Sequence, residues 1–322
     1  MRRGCGSSHR PAAFLPAYVK SHSHGEYVFD HAWADAFERV GGDYYPKLQI
    51  AVPFTPVPGR RLLARDEALA PVLIRAAESL VLENHLSSAH ATFIAPDEVA
   101  SFERAGWLIR IASQFHWLND GYRSFDDFLA SLSSRKRKAI RKERASALEG
   151  LEVRLLSGRD IEEAHWDAFW EFYQDTGARK WGRPYLTRSF FSLLGERMAD
   201  RVLLVLALCD GRPVAGALNL IGADALYGRY WGALVDVPGL HFELCYYQAI
   251  EFAIGRGLAR VEAGAQGEHK LSRGYQPVAT FSAHFFADER LGVAVADFLE
   301  VERRAALRAI AALGDFTPFR KG

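Results

Sequence analysis

Three apolar, strand-like runs, Arg201–Cys209, Pro213–Ile221 and Ala225–Trp231, follow one another with only Asp210-Gly211 and Gly222-Ala223-Asp224 between them. Such short, glycine-bearing links reverse a chain without splaying its strands, so this stretch is committed to an antiparallel meander. The flanks narrow the choice further. Leu151–Leu156 reads as a strand, Ile161–Thr176 and Arg188–Met198 as helices that Asp160 and Thr187 can cap, His241–Arg256 as a helix stopped by Gly257, and Leu258–Ala263 as a strand.

The earlier half reads as α/β as well. Glu26–Asp30 is expected as a strand, His31–Val40 as a helix closing at Gly41-Gly42, and Lys47–Val52 as a strand before a proline-rich turn. A long helix over Asp66–Leu86, a strand over Ser88–Ile94, a short helix over Pro96–Arg104 and two strands, Trp107–Ile111 and Ser113–Leu118, complete it. Ser124–Ala147 is helical, and a last helix runs from about Val293 to Leu313. The helix, glycine stop and strand of the first half echo Phe242–Ala263, and 322 residues are enough for two domains. The expected division is 1–123, a basic helical connector 124–150 packing on the second domain, and 151–322. Helix, helix, three antiparallel strands, helix and strand is similar to the order of a GNAT-type N-acyltransferase domain.

Charge and cysteine content exclude several classes. Forty basic residues against 39 acidic ones leave no global field for a polyanion, so any nucleic-acid or phosphate partner must meet a local patch. Cys5, Cys209 and Cys245 show neither CxxC spacing nor a nearby histidine cluster, which argues against a disulfide framework or structural zinc and for a reducing cytoplasm. No apolar run approaches a membrane span, and the start does not read as a secretory signal. GxSxG, Walker A and HExxH strings do not occur.

The densest chemistry is Gly264–Tyr275, GAQGEHKLSRGY, just past the strand Leu258–Ala263. Loops at the carboxyl ends of strands hold ligands in α/β folds, and Glu262, Gln266, Glu268, His269, Lys270, Arg273 and Tyr275 crowd there. Lys270 and Arg273 suit an anionic group; Glu268 or His269 suits taking a proton from an attacking amine. At the next helix, His241, Glu243 and Tyr246 read either as ligand-facing or, for the first two, as a cap and a first-turn carboxylate. Arg229-Tyr230-Trp231 can line a groove, although core packing fits the segment better. The run SSRKRKAIRKER carries Arg135, Arg137, Lys138, Arg141 and Lys142, which read as a solvated helix or as a phosphate- or RNA-binding surface. His22 and His24, at i and i+2, fall on one side of an extended chain, but no second ligand pair is visible beside Glu26 and Asp30, so these residues are expected to wall a polar site and no metal is assigned.

Five strings in order resemble the FemAB-like (DUF482-type) peptidoglycan biosynthesis or recognition proteins of the GNAT superfamily: Lys20–Leu63, Phe125–Arg144, Ala225–Gly232, His241–Ile254 and Glu262–Val278. The resemblance implies an α/β (α+β) fold of two GNAT-like domains, each a mixed, mainly antiparallel sheet flanked by helices, with the first incomplete at its start. It also implies a bacterial, Fem-like N-acyltransferase acting on a small molecule or muropeptide. Aminoacyl-tRNA or acyl-CoA would be the donor co-substrate; no other cofactor is implied. The RxxGxG or QxxGxG loop of acetyl-CoA-dependent relatives is absent from GALVDVPGLHFELCYY. A non-catalytic peptidoglycan- or RNA-binding module and an acetyl-CoA-dependent N-acetyltransferase are the alternative readings.

Overall fold

The structure is a computed structural model and describes residues 11–180, 185–264 and 267–320. The chain divides into two compact units, Met1–Ser113 with Ala279–Ala312 and Gln114–Val278 with Leu313–Gly322. This differs from the sequence-based division because the strand Gln276–Phe286 runs on into the first unit. There it pairs with Ser88–Ile94 through His284↔His90 and Phe286↔Ser88, and it brings the helix Glu289–Gly314 with it. Residues 124–150 belong to the second unit.

In the first unit the strand order is Ala17–Lys20, Lys47–Ile50, Ser88–Ile94, Gln276–Phe286, with Leu108–Leu118 following. Leu48, Ile50, Ala89 and Ala91 point to one face and pack on Ile74, Ala77 and Val81 of the helix Ala70–Glu83. The alternation turns Lys47, Gln49, Ser88, His90, Thr92 and His284 to the other face, where all are buried. A polar face of this kind survives only if its groups are matched. Lys47 donates to Ser23 at 2.7 Å, Glu26 at 2.8 Å and Asp30 at 2.5 Å. Tyr44 donates to Asp30 at 2.8 Å and lies 3.3 Å from His90, whose Nδ1 is 2.7 Å from Nδ1 of His284.

This network explains why Glu26–Asp30 is not the strand its composition suggests. Gly25 and Tyr27 take left-handed conformations (φ 78° and 58°), and the resulting turn brings both carboxylates onto Lys47. His22 and His24 stay at the surface, edge to face at 5.0 Å. Trp33 and Tyr44 close the network against Leu291, Val295 and Leu299 of the last helix.

The second unit contains the meander as read: Val202–Cys209, Arg212–Ile221 and Ala225–Ala233 pair antiparallel, with Glu152–Ser157 outside them. Val202–Leu208 is apolar throughout because both faces are covered. Val205 and Ala207 face Leu244, Tyr247 and Ile250, while Leu204 and Leu206 face Trp166, Phe169 and Phe191. The two strands expected over residues 107–118 are one, Leu108–Leu118, since Ala112-Ser113 interrupts the apolar pattern without breaking the backbone. Ser124–Ala147 splits into Phe125–Ser131 and Ser134–Ala147, where Leu132 turns extended (ψ 157°). Among the described residues no helix is long and apolar enough to cross a membrane.

Gly232 marks the tightest helix–strand approach: a Cβ there would lie 2.2 Å from the carbonyl oxygen of Phe172. Because that neighbour is backbone, Gly232→Ala is expected to cost about 1–3 kcal/mol. Denaturant unfolding against the parent protein checks it; an unchanged midpoint would contradict this packing.

Candidate functional site

In the second unit Ala225–Ala233 pairs in parallel with Arg260–Glu262, and the pairing is short. It stops at Tyr227↔Glu262, while the longer strand passes an irregularity between Gly228 and Tyr230 and continues to Ala233. The two strands part there, which leaves backbone groups and strand ends available to a ligand. The helix that follows the meander meets the longer strand where His241 touches Trp231, and the turn Glu268–Arg273 reaches the end of the shorter one through Lys270 and the Gly264 carbonyl.

That helix starts at Gly239, left-handed at φ 83°, and passes through a π turn, Glu243–Tyr247, before settling into Gln248–Gly255. Its inner side chains Leu244, Tyr247 and Ile250 are core. Its outer ones meet the turn. Tyr246 OH is 2.9 Å from Nε2 of His269, and His241 sits edge-on to Trp231 and Tyr246, each at 5.3 Å. Arg273 lies flat on Phe242, 3.4 Å from the ring centre, and donates to the His269 carbonyl at 2.9 Å and to Glu143 at 2.6 Å. Glu143 also accepts from Tyr247 OH. Tyr275 is fully buried against Tyr246, at 5.4 Å.

Lys270 is the outstanding group electrostatically. It is buried, its Nζ donates to the Gly264 carbonyl at 2.8 Å, and no carboxylate pairs with it among the described residues. Burial pushes its ammonium down to about 8. Burial, with Lys270 and Arg273 nearby, also holds His269 below the usual histidine range, so that exposed ring is neutral at pH 7. A buried cation that no carboxylate pairs with among the described residues, next in sequence to a neutral imidazole, suits stabilising developing negative charge and accepting a proton.

The structure thus brings His241, Tyr246, His269, Lys270, Arg273 and Tyr275 together. Gln266 and the side chain of Glu268 lie outside the described residues. Two expected ligand-facing carboxylates are engaged by protein partners. Glu243, fully buried, takes a forked pair from Arg144 at 3.0 and 2.9 Å and a bond from Gln248 at 2.7 Å. Glu262 holds Arg260 at 2.8 Å through Oε1. Arg229 stacks on Tyr230 at 4.6 Å and donates to Tyr185 at 3.3 Å.

The basic helix Ser134–Ala147 has two sides. Ile140 and Ala147 are buried, and Glu143 and Arg144 reach into the site as just described. On the outside Arg135, Lys138 and Lys142 carry no ion pair among the described residues; Arg137 is half-buried, and Arg141 meets Asp126 at 2.8 Å. Sequence reasoning missed Glu143 and Arg144 as organisers of the site. The available signal was a lone acid within a cationic run, which is there to hold a cation elsewhere.

The fold is shared with solved structures at low identity. L-PGS from Bacillus licheniformis matches at 10% identity and TM-score 0.53, covering 74% of this chain and 77% of that one. A C-terminal DUF2156 domain from Agrobacterium fabrum matches at 10% and 0.55, covering 78% and 81%. FemX matches at 12% and 0.50, covering 77% and 86%. No curated protein sequence matches the chain. The FemAB-like family, described as peptidoglycan biosynthesis/recognition, matches residues 5–321, and the chain belongs to that family.

Proposed function

We propose that this protein is a Fem-like N-acyltransferase that moves an acyl or aminoacyl group from an activated donor to an amine of a peptidoglycan precursor. The observation that carries the reading is Lys270, a buried ammonium without a carboxylate partner among the described residues, set beside the neutral His269 where two parallel strands part. His269, at the surface, takes the proton that turns the acceptor ammonium into a nucleophile and passes it to water. The amine attacks the donor carbonyl, and Lys270 faces the oxyanion while Arg273 holds an anionic part of the substrate.

Aminoacyl-tRNA is favoured over acyl-CoA as the donor. A pyrophosphate needs open N–H groups at the helix start. At Gly239 a Cβ would already lie 3.5 Å from Glu143 and 3.6 Å from Ala147, so the basic helix covers that spot and brings an acid to it. The outward-facing Arg135, Lys138 and Lys142 suit an RNA backbone. The family description and the names FemX and L-PGS accord with this reading.

Two experiments test it. His269→Ala is expected to lower transfer by roughly 10²–10⁴-fold, the usual range for a positioned proton acceptor; undiminished turnover would remove His269 from the reaction. Lys138→Glu with Lys142→Glu is expected to weaken tRNA binding and to flatten its log–log salt dependence by about one for each phosphate that is no longer neutralised. An unaltered slope in a filter-binding titration would place the RNA elsewhere.

A further inference from the structure

The acceptor ammonium must lose two protons, one before attack and one as the amide forms, and the leaving oxygen must gain one. His269 accounts for the first only. A second imidazole stands deeper in the same unit. His116, on Leu108–Leu118, is directly opposite Glu262 in the antiparallel register, at the strand end where the parallel pairing stops. Its Nε2 is 3.2 Å from Oε1 of Gln114 and 3.8 Å from Oε2 of Glu262. With Gln114 Oε1 and the Glu262 carboxylate on that side, the tautomer protonated on Nε2 is the one that suits both, and it leaves on Nδ1 a lone pair to which no described residue donates. Glu262 Oε2 is fully buried and has no hydrogen-bond donor among the described residues. An imidazole whose N–H faces a carboxylate while its other nitrogen is bare is the arrangement of a proton carrier, and such contacts tighten when substrate binds.

Resting on the acyl-transfer reading, we infer that His116, oriented by Glu262, carries the second proton from the tetrahedral nitrogen to the leaving oxygen of the donor. The step balances. The N–H electron pair stays on nitrogen as the amide forms, Nδ1 of His116 takes the proton, the carbonyl–oxygen bond to the leaving group breaks, and the alkoxide receives that proton. His116 returns to neutral, and the net proton leaves through His269. The surroundings fit a carrier that does not keep its proton. Burial, then Arg260 and Lys270, push His116 down to about 4. Glu262, itself raised by burial and opposed by Arg260, is the one carboxylate that faces the ring among the described residues.

The inference makes the dependence on leaving group diagnostic. Alanyl-tRNA, a ribose ester, must have its leaving oxygen protonated; an alanyl thioester of N-acetylcysteamine leaves as a stable thiolate. With a UDP-linked muropeptide as acceptor, His116→Gln is expected to lower turnover of the ester about 10²–10³-fold and of the thioester less than about 10-fold. Glu262→Gln, which keeps shape and hydrogen-bonding atoms, is expected to show the same ordering with smaller losses. Equal losses on both donors would overturn the role of His116 and leave the acyl-transfer reading standing. No transfer by the parent protein from either donor would overturn that reading and this inference with it. Side-chain ¹⁵N spectra of the unaltered protein are independent of any variant: a neutral His116 protonated on Nε2 at pH 7 is expected, and protonation on Nδ1 would overturn the proposal.

Discussion

Lys47→Ala is expected to destabilise the first unit by about 3–5 kcal/mol at neutral pH, because it strands two carboxylates that water hardly reaches. Glu26 and Asp30 are nearly fully buried, and among the described residues the only other ammonium near them is Lys20, 2.9 Å from Glu26. Unfolding followed by hydrogen exchange of Lys47–Ile50 and Ser88–Ile94 reads the effect locally, and a loss below about 1 kcal/mol would contradict it. Removing the charges together, with Lys47→Met, Glu26→Gln and Asp30→Asn, is expected to recover most of the loss, since neutral groups do not carry the desolvation penalty.

The same network sets an acid limit. Burial alone would raise Asp30, but the fields of His90 and Lys47 and the hydrogen bonds from Lys47 and Ser23 hold it well below the usual carboxylate range. A depressed carboxylate contributes stability that is present above its unfolded value of about 3.9 and is lost as pH falls toward its folded one. The parent protein is therefore expected to lose stability below about pH 4. Lys47→Ala, lacking that contribution, is expected to show a shallower acid slope in the same titration.

Glu143→Ala is the second large effect, and it falls on turnover. Glu143 holds Arg273 at 2.6 Å and accepts from Tyr247, so it fixes the turn that carries His269 and Lys270 to the helix. Loosening a catalytic group by about an ångström costs on the order of 10²-fold, and that fall in kcat is expected here with little change in thermal stability. Glu143→Gln keeps an acceptor for both partners and is expected to retain more activity. Equal losses in the two variants would show that charge, not position, is what Glu143 supplies.

Much of the fold was legible because its signals are local. The meander needed only period-two apolar runs and two short turns, and Ser88–Ile94 stands where its composition puts it. The strand Gln276–Phe286 was not legible, since Thr280, Ser282 and His284 alternate with apolar residues but are buried in a polar layer that sequence cannot reveal. Glu26–Asp30 failed in the opposite sense: aromatic, β-prone residues were taken into a turn by the pull of Lys47. The candidate site was half readable. The crowding of Glu268–Tyr275 marked the place, whereas Glu143, more than a hundred residues away, and His116, an ordinary strand residue by pattern, are joined to it only by the folded chain.

The central claim is acyl transfer at the Lys270 site, and one assay reaches it directly: labelled alanyl-tRNA and acetyl-CoA as competing donors to a UDP-linked muropeptide, with parent protein and Lys270→Met. The account expects transfer from the tRNA, weakening as salt rises and falling by roughly 10²–10³-fold in the variant, the loss usual for one oxyanion-stabilising group. Transfer from acetyl-CoA alone, or a Lys270→Met protein as active as its parent, would contradict it.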